Sequence, residues 1–184
     1  MKVLLSDDLI LLRPLVVADI EGNYRHWFND PEVVRHNSHG RFPMTPERLV
    51  KYVTDSELNP SLLVLAVELR EGGVHVGNIS LQGINWIDRN AEIAFILGEL
   101  AYQGRGIMLR AGRLVIAHAF GALNLHRVHC GTLATNIGMQ RLAEKLGMTE
   151  EGRRRDMVFK DGSYIDVIEY GVINPQESGQ SGRS

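Results

Sequence analysis

The hydrophobic positions of this chain change period several times, and each change predicts an element. LILLRP at 9–14 is a near-continuous apolar run closed by proline, as in a strand. From Val17 to Asn29 the apolar residues Ile20, Tyr24 and Trp27/Phe28 recur three to four apart, which predicts a helix with one face for a sheet. Pro31 restarts the chain, and Glu32 to Met44, rich in His, Asn, Arg and Gly, reads as irregular. Thr45 followed by Pro46 and Glu47 is a capped helix start; that helix runs to about Leu58, before Pro60 ends it. LLVLAVEL (62–69) and HVGNISL (75–81) are strands joined at Gly72-Gly73, and QGINWIDRN (82–90) reads as an exposed loop.

The second half repeats the alternation of strand and helix. AEIAFIL (91–97) is a strand that passes through GELAYQ into Gln103-Gly104-Arg105-Gly106 and on to a helix ending near Gly121. Leu125 to Ala134 is a strand, Asn136 caps the helix IGMQRLAEKLGM, and Gly147 stops it. Thr149–Phe159 and Tyr164–Ile173 form a hairpin about Lys160-Asp161-Gly162-Ser163. The order predicts one mixed α/β domain over 1–174, a mostly antiparallel central sheet with flanking helices. Within it, 91–97 and 125–134, joined by a crossover helix, run parallel. The tail PQESGQSGRS from Pro175 is polar and rich in small residues, and is expected to be disordered.

A strand that turns through two glycines into a helix leaves first-turn amides without partners. Such amides, helped by the helix dipole, can hold phosphate or another anion. Gly104 and Gly106 let a ligand approach the main chain, and Arg105 adds a charge.

Composition narrows the field. Of 184 residues 44 % are hydrophobic, enough to bury a core, and the net charge of −2 makes no case for nucleic acid. Cys130, the single cysteine, excludes an internal disulfide, and the lone pair His36 and His39 lacks metal-ligand company, so no metal is expected. Ser6, Asp7 and Asp8 break the N-terminal apolar run, which argues against a signal peptide or membrane span and for the cytoplasm.

Three segments together resemble the GNAT acyltransferase superfamily: AEIAFILGELAYQGRGI, FGALNLHRVHCGTLATNIGMQRLAEKLGM and EEGRRRDMVFKDGSYIDVIEYGVI. The match lies nearest the branch of ribosomal-protein N-terminal, spermidine and amino-sugar acetyltransferases. The resemblance implies the GNAT acyl-CoA N-acyltransferase fold and transfer of acetyl from acetyl-CoA to a primary amine. It also implies that the coenzyme A pyrophosphate lies on the amides of Gln103, Gly104, Arg105, Gly106, Ile107 and Met108. The pantetheine arm would run beside Phe95 and Ile96, and Asn136 would hold its side. Two departures matter. Met108 replaces a small residue, and the family's acid and base positions carry Met139 and, nearby, Val158.

The catalytic pair must therefore be sought among this chain's own residues. An alkylammonium, with a pKa of about 10, must lose a proton before it attacks. Glu92, an acid on an otherwise apolar strand, is the first candidate base, since burial would raise its pKa. As a structural alternative it pairs with a surface cation. Asp156 and Asp166 are weaker candidates. A main-chain N–H at Phe95 or Ile96 would polarise the carbonyl, and Tyr164 or Tyr102 would serve as acid. His126 and His129, three apart on a strand, face opposite sides and cannot share a site, and Cys130 is expected to pack as a small hydrophobe.

Acceptor choice is expected to rest with 29–44, 82–90 and the final hairpin. These carry Arg35, His36, Asn37, His39, Arg41, Trp86, Asp88 and Arg89, a polar mixture poor in the carboxylates a polyamine would need. An amino-sugar nucleotide, a peptide N-terminus or another small amine fits better. The rival reading is a catalytically silent acyl-CoA-binding sensor or partner-binding module, favoured by Met108 and Met139. A homodimer is expected from family habit and from the edge the hairpin leaves.

Overall fold

The computed structural model describes residues 3–37 and 40–177. A single eight-stranded sheet forms its centre, from β1 (Leu5–Ser6), β2 (Ile10–Pro14), β3 (Leu63–Leu69), β4 (His75–Asn85), β5 (Asn90–Leu97), β6 (Arg127–Leu133), β7 (Thr149–Lys160) and β8 (Ser163–Ile173). The order is β1-β2-β3-β4-β5-β6-β8-β7, and every pair is antiparallel except β5 with β6. The mixed, mostly antiparallel sheet expected from the sequence is therefore the one observed.

The helices divide between two faces. α1 (Tyr24–Trp27) and α2 (Pro46–Leu58) bury Tyr24, Trp27, Leu49 and Val53 against Val64 and Ala66. α3 (Ile107–Gly121) and α4 (Ile137–Lys145) cover the other face, where Ile107, Ala111, Val115 and Ala119, four apart, meet Ile79, Leu81 and Ile93. Thr45 caps α2 by accepting from Arg48 N–H (3.4 Å), and Asn136 caps α4 by accepting from Met139 N–H (3.1 Å). α4 ends at Gly147, whose φ of +80° only glycine adopts cheaply.

Three expectations need correction. The helix expected over 17–29 is a 3-10 turn at Val17–Glu21 and the single turn of α1, because Gly22 interrupts it in extended backbone. The loop expected at 82–90 is mostly strand: β4 runs on to Asn85, and a four-residue turn leads into β5. Of the tail expected to be disordered from Pro175, residues 175–177 stay with the fold, Glu177 pairing with Arg89 (2.5 Å) and His126 (2.8 Å), while 178–184 lie outside the described residues. Among the described residues no helix is long and apolar enough to cross a membrane.

Candidate active site

The site begins where β5 and β6, the only parallel pair of strands among the described residues, come apart. β5 and β6 pair at Asn90–Arg127, Ala91–Val128 and Glu92–His129 and no further. Beyond that, Ile93–Leu97 and Cys130–Leu133 diverge, and a cavity of about 290 Å³ opens between them, reaching Gln103, Asn136 and Met139. Gly98 N–H donates to Val76 O (3.0 Å), toward β4. By the two-residue alternation of a strand, the Ile96 amide also turns to β4, while the Phe95 amide turns into the gap. Of the two amides considered for polarising a carbonyl, only that of Phe95 is available.

At one mouth of the gap lies the glycine turn. Gly104 and Gly106 have φ of +76° and +75°, and a Cβ built on either would meet nothing within 4 Å. The first α-helical bond of α3 is Arg110 N–H to Gly106 O (3.1 Å), so the amides of Gly106, Ile107, Met108 and Leu109 precede it and find no acceptor among the described residues. Arg110 holds this end of α3 to the N-terminal turn through Asp7 (2.9 Å) and Asp8 (2.6 Å). Arg105 lies over the ring of Tyr102, 5.0 Å from its centroid, and Gln103 and Arg105 are exposed. The turn is an open cradle of amides leading into the gap, which is the shape a diphosphate with a narrow arm requires.

On the α2 face of the same strands a larger cavity, about 820 Å³, opens beside the gap. Asn78, Ser80 and Gln82 of β4 and Glu92 of β5 share this face through the pairs Gln82–Glu92, Ser80–Ala94 and Asn78–Ile96. Leu49, Tyr52, Asn59 and Ser61 form the opposite wall, and Gly131, Thr132 and Arg154 the β6–β7 side. His36, Asn37, Glu92, Phe95, Ile96 and Thr132 line both cavities, so the two spaces meet at the gap.

The candidates expected from the sequence fare unequally. Glu92 does line the meeting point, but it is exposed, and the burial expected of it is not found. Tyr164 lines neither cavity: it sits at the hairpin tip, 66 % exposed and tilted against the Phe159 ring (5.1 Å between centroids), because the turn carries it outward. Asp156 and Asp166 bind each other's strand, Asp156 N–H donating to Asp166 Oδ1 (2.9 Å). Asn136 and Met139 both border the narrow cavity. Cys130 borders it as well; burial, with the charges of Glu92 and Glu169, pushes its thiol up to about 12, which leaves it protonated.

The expected acceptor loops also divide. Trp86 donates to Pro60 O (3.1 Å), Asp88 accepts from Asn85 (2.7 Å) and Arg89 holds Asn124 (2.7 Å), so this turn is structural. Arg154 reaches the large cavity already paired with Glu169 (2.7 Å). His39 lies outside the described residues. The polar row Asn78, Ser80, Gln82 escaped the sequence reading, although its alternation with apolar residues along a strand is the available signal.

Residues 10–149 match the family model described as an acetyltransferase (GNAT) domain. The chain belongs to the GNAT acetyltransferase family. It is 29 % identical over 181 residues to the "Probable N-acetyltransferase YjcK" of Bacillus subtilis, covering 95 % of this chain and 99 % of that one. It is 30 % identical over 104 residues to the spermidine N(1)-acetyltransferase of Escherichia coli, 56 % of this chain and 55 % of the relative. A ribosomal L7/L12 alpha-N-protein acetyltransferase solved with coenzyme A superimposes with a TM-score of 0.85 at 18 % identity, over 94 % of this chain and 98 % of that one; at this distance the fold is what the two share. As a GNAT family member the chain is an N-acyltransferase, and its two meeting cavities suit an enzyme with two substrates.

Proposed function

We propose that this chain transfers acetyl from acetyl-CoA to a small amine that carries one ammonium on a neutral, polar body, such as an amino sugar or a peptide N-terminus. Both substrates are bound together, and the amine attacks directly. The observation that carries this reading is the meeting of the two cavities at Phe95 and Glu92, where β5 leaves β6. The free amides of Gly106, Ile107 and Met108, with Gln103, Gly104 and Arg105, suit the pyrophosphate, and the gap past Phe95, Ile96 and Asn136 suits the pantetheine arm. When bound, the cofactor supplies an activated acetyl as a thioester.

The chain's own groups do the rest. Phe95 N–H can donate to the carbonyl oxygen as negative charge develops there. Glu92 contributes its charge, pairing with the incoming ammonium. The amides and hydroxyls of Asn59, Ser61, Asn78, Ser80 and Gln82 line the amine's cavity with neutral donors and acceptors. Arg154 is satisfied by Glu169, and among the described residues Glu92 is the carboxylate that lines the cavity beside this neutral wall. That balance favours a monoamine over a polyamine, whose further ammonium groups would lack partners.

Thiol release with a panel of amines tests the acceptor. Amino sugars or short peptides should exceed spermidine in kcat/KM; spermidine as the best substrate would overturn the class. Glu92→Gln should raise the KM for the amine about 10- to 100-fold, the value of a hydrogen bond to a charged group, while acetyl-CoA affinity stays constant. The silent-module reading is favoured by Met108 and Met139, which stand where the family resemblance implies a small residue and a proton donor; thiol release with any of these amines rejects it. The outer edge of β7, where the sheet ends among the described residues, and the exposed Met157 and Phe159 support pairing with a second copy.

A further inference from the structure

His36 stands where the two cavities meet. It comes from the turn-rich segment between α1 and α2, is half-buried, and lines both spaces together with Glu92 of β5. The segment that carries it is pinned. Lys160 Nζ, at the end of β7, donates to Val34 O (3.3 Å) and Asn37 O (3.2 Å), on either side of His36. Arg41 Nη2 donates to Phe159 O (3.0 Å), and Val34 is buried beneath the turn. The main chain held in this way keeps His36 on the wall that the amine's cavity and the cofactor's gap share.

Its surroundings favour the neutral ring. Burial first, then the positive charges of Arg35 and Lys160, push its pKa below the ordinary histidine value, so near neutrality it keeps a lone pair free to take a proton. Among the described residues the charged groups about it come from three elements, and Arg41 of its own segment is turned to Phe159 O. Its own segment supplies Arg35, paired with Glu32; β7 supplies Lys160 and Arg154, the latter paired with Glu169; β5 supplies Glu92. Glu92, which lines the same two cavities, is the anion that can hold an ammonium there.

We propose that His36 is the proton acceptor of the reaction, receiving the amine's proton while Glu92 pairs with the ammonium; this rests on the acetyltransfer reading above. One N–H proton of the ammonium passes to the free imidazole nitrogen. The neutral amine then forms its N–C bond to the acetyl carbon as the C–S bond breaks, the electron pair leaving on sulfur. The second N–H proton passes to that sulfur, giving the thiol, and His36 returns its own proton to water. Arg35 and Lys160 hasten the return, because they disfavour the imidazolium.

The experiment follows the full chain and its His36→Gln, His36→Asn and His36→Ala variants from about pH 5 to pH 9, the span that brackets a histidine titration. Acetyl-CoA affinity is measured by calorimetry, and the imidazole is titrated by NMR. In the unaltered protein the acidic limb of kcat/KM and the NMR titration of His36 should share a midpoint below 6.5. His36→Gln and His36→Asn should lose about 10²- to 10⁴-fold in kcat together with that limb, while retaining acetyl-CoA affinity. Added imidazole should restore part of the activity of His36→Ala. A His36→Gln variant that keeps its kcat, or that loses kcat but keeps the acidic limb, overturns the assignment and leaves acetyltransfer intact. Absence of thiol release by the unaltered protein with every amine overturns both.

Discussion

Arg13→Ala should destabilise the protein by about 3–5 kcal/mol, the range for removing one member of a buried ionic cluster, measurable as a shift in the denaturant midpoint. Arg13 lies on β2 with its side chain 7 % exposed, and its guanidinium binds Asp19 (2.7 Å) and Glu68 (2.7 Å). Its removal strands two carboxylates against the sheet, and Asp19, 9 % exposed, has least access to water. His75 stands 3.7 Å from Asp19 and against the Trp27 ring (4.8 Å), so the damage should spread into the α1 packing. The same cluster sets an acid limit. Burial alone would raise the Asp19 pKa, but hydrogen bonds from Arg13 and the Val16 amide, with the charges of Arg13 and His75, outweigh it and hold it below the ordinary 3.8. A lowered folded-state pKa gives stability that is complete above the unfolded value and is lost as pH falls through the folded one. Stability should therefore drop below about pH 4 in the wild type and more gently in Arg13→Ala, where the lowering partner is gone.

Gly98→Ala is expected to have the second-largest effect. A Cβ at Gly98 would lie 1.8 Å from Trp27 Cδ2 and 2.0 Å from Cε2, closer than any real contact. Trp27 is buried and donates from Nε1 to Glu99 (3.0 Å), so the indole cannot swing away without breaking that bond. Overpacking of this kind costs about 1–3 kcal/mol or more. Because Gly98 joins β5 to the residues leading into the glycine turn, acetyl-CoA affinity should fall as well. Gly104→Ala is the contrast. It has φ of +76° but nothing within 4 Å, so its stability cost should be only the left-handed strain, about 1–2 kcal/mol.

The parts legible in the sequence were those decided locally. Thr45-Pro46, Asn136 and Gly147 mark helix ends by their own chemistry, and each caps or ends a helix as expected. The strand–glycine–helix passage through Gly104 and Gly106 could be read because unpaired first-turn amides follow from helix geometry alone. The parallel pairing of β5 and β6 followed from the crossover helix. What could not be read depends on residues far apart in the chain. The exposure of Glu92 is set by a cavity whose walls come from α2, β4 and β7, and the outward position of Tyr164 by the reach of the hairpin. His36 sits in a segment without periodicity, and bonds from that segment to the distant Lys160 and Phe159 help fix it beside β5.

In the proposed function, the amides ahead of α3 and the gap between β5 and β6 hold acetyl-CoA. Calorimetric titration of acetyl-CoA into the wild type and into Gly106→Val tests it most directly, since Gly106 has open space where the added side chain would intrude on the ligand. One-to-one binding to the wild type is expected, weakened about tenfold or more in the variant, which corresponds to about 1.4 kcal/mol. No binding to the wild type, or equal affinity in the two proteins, would contradict it.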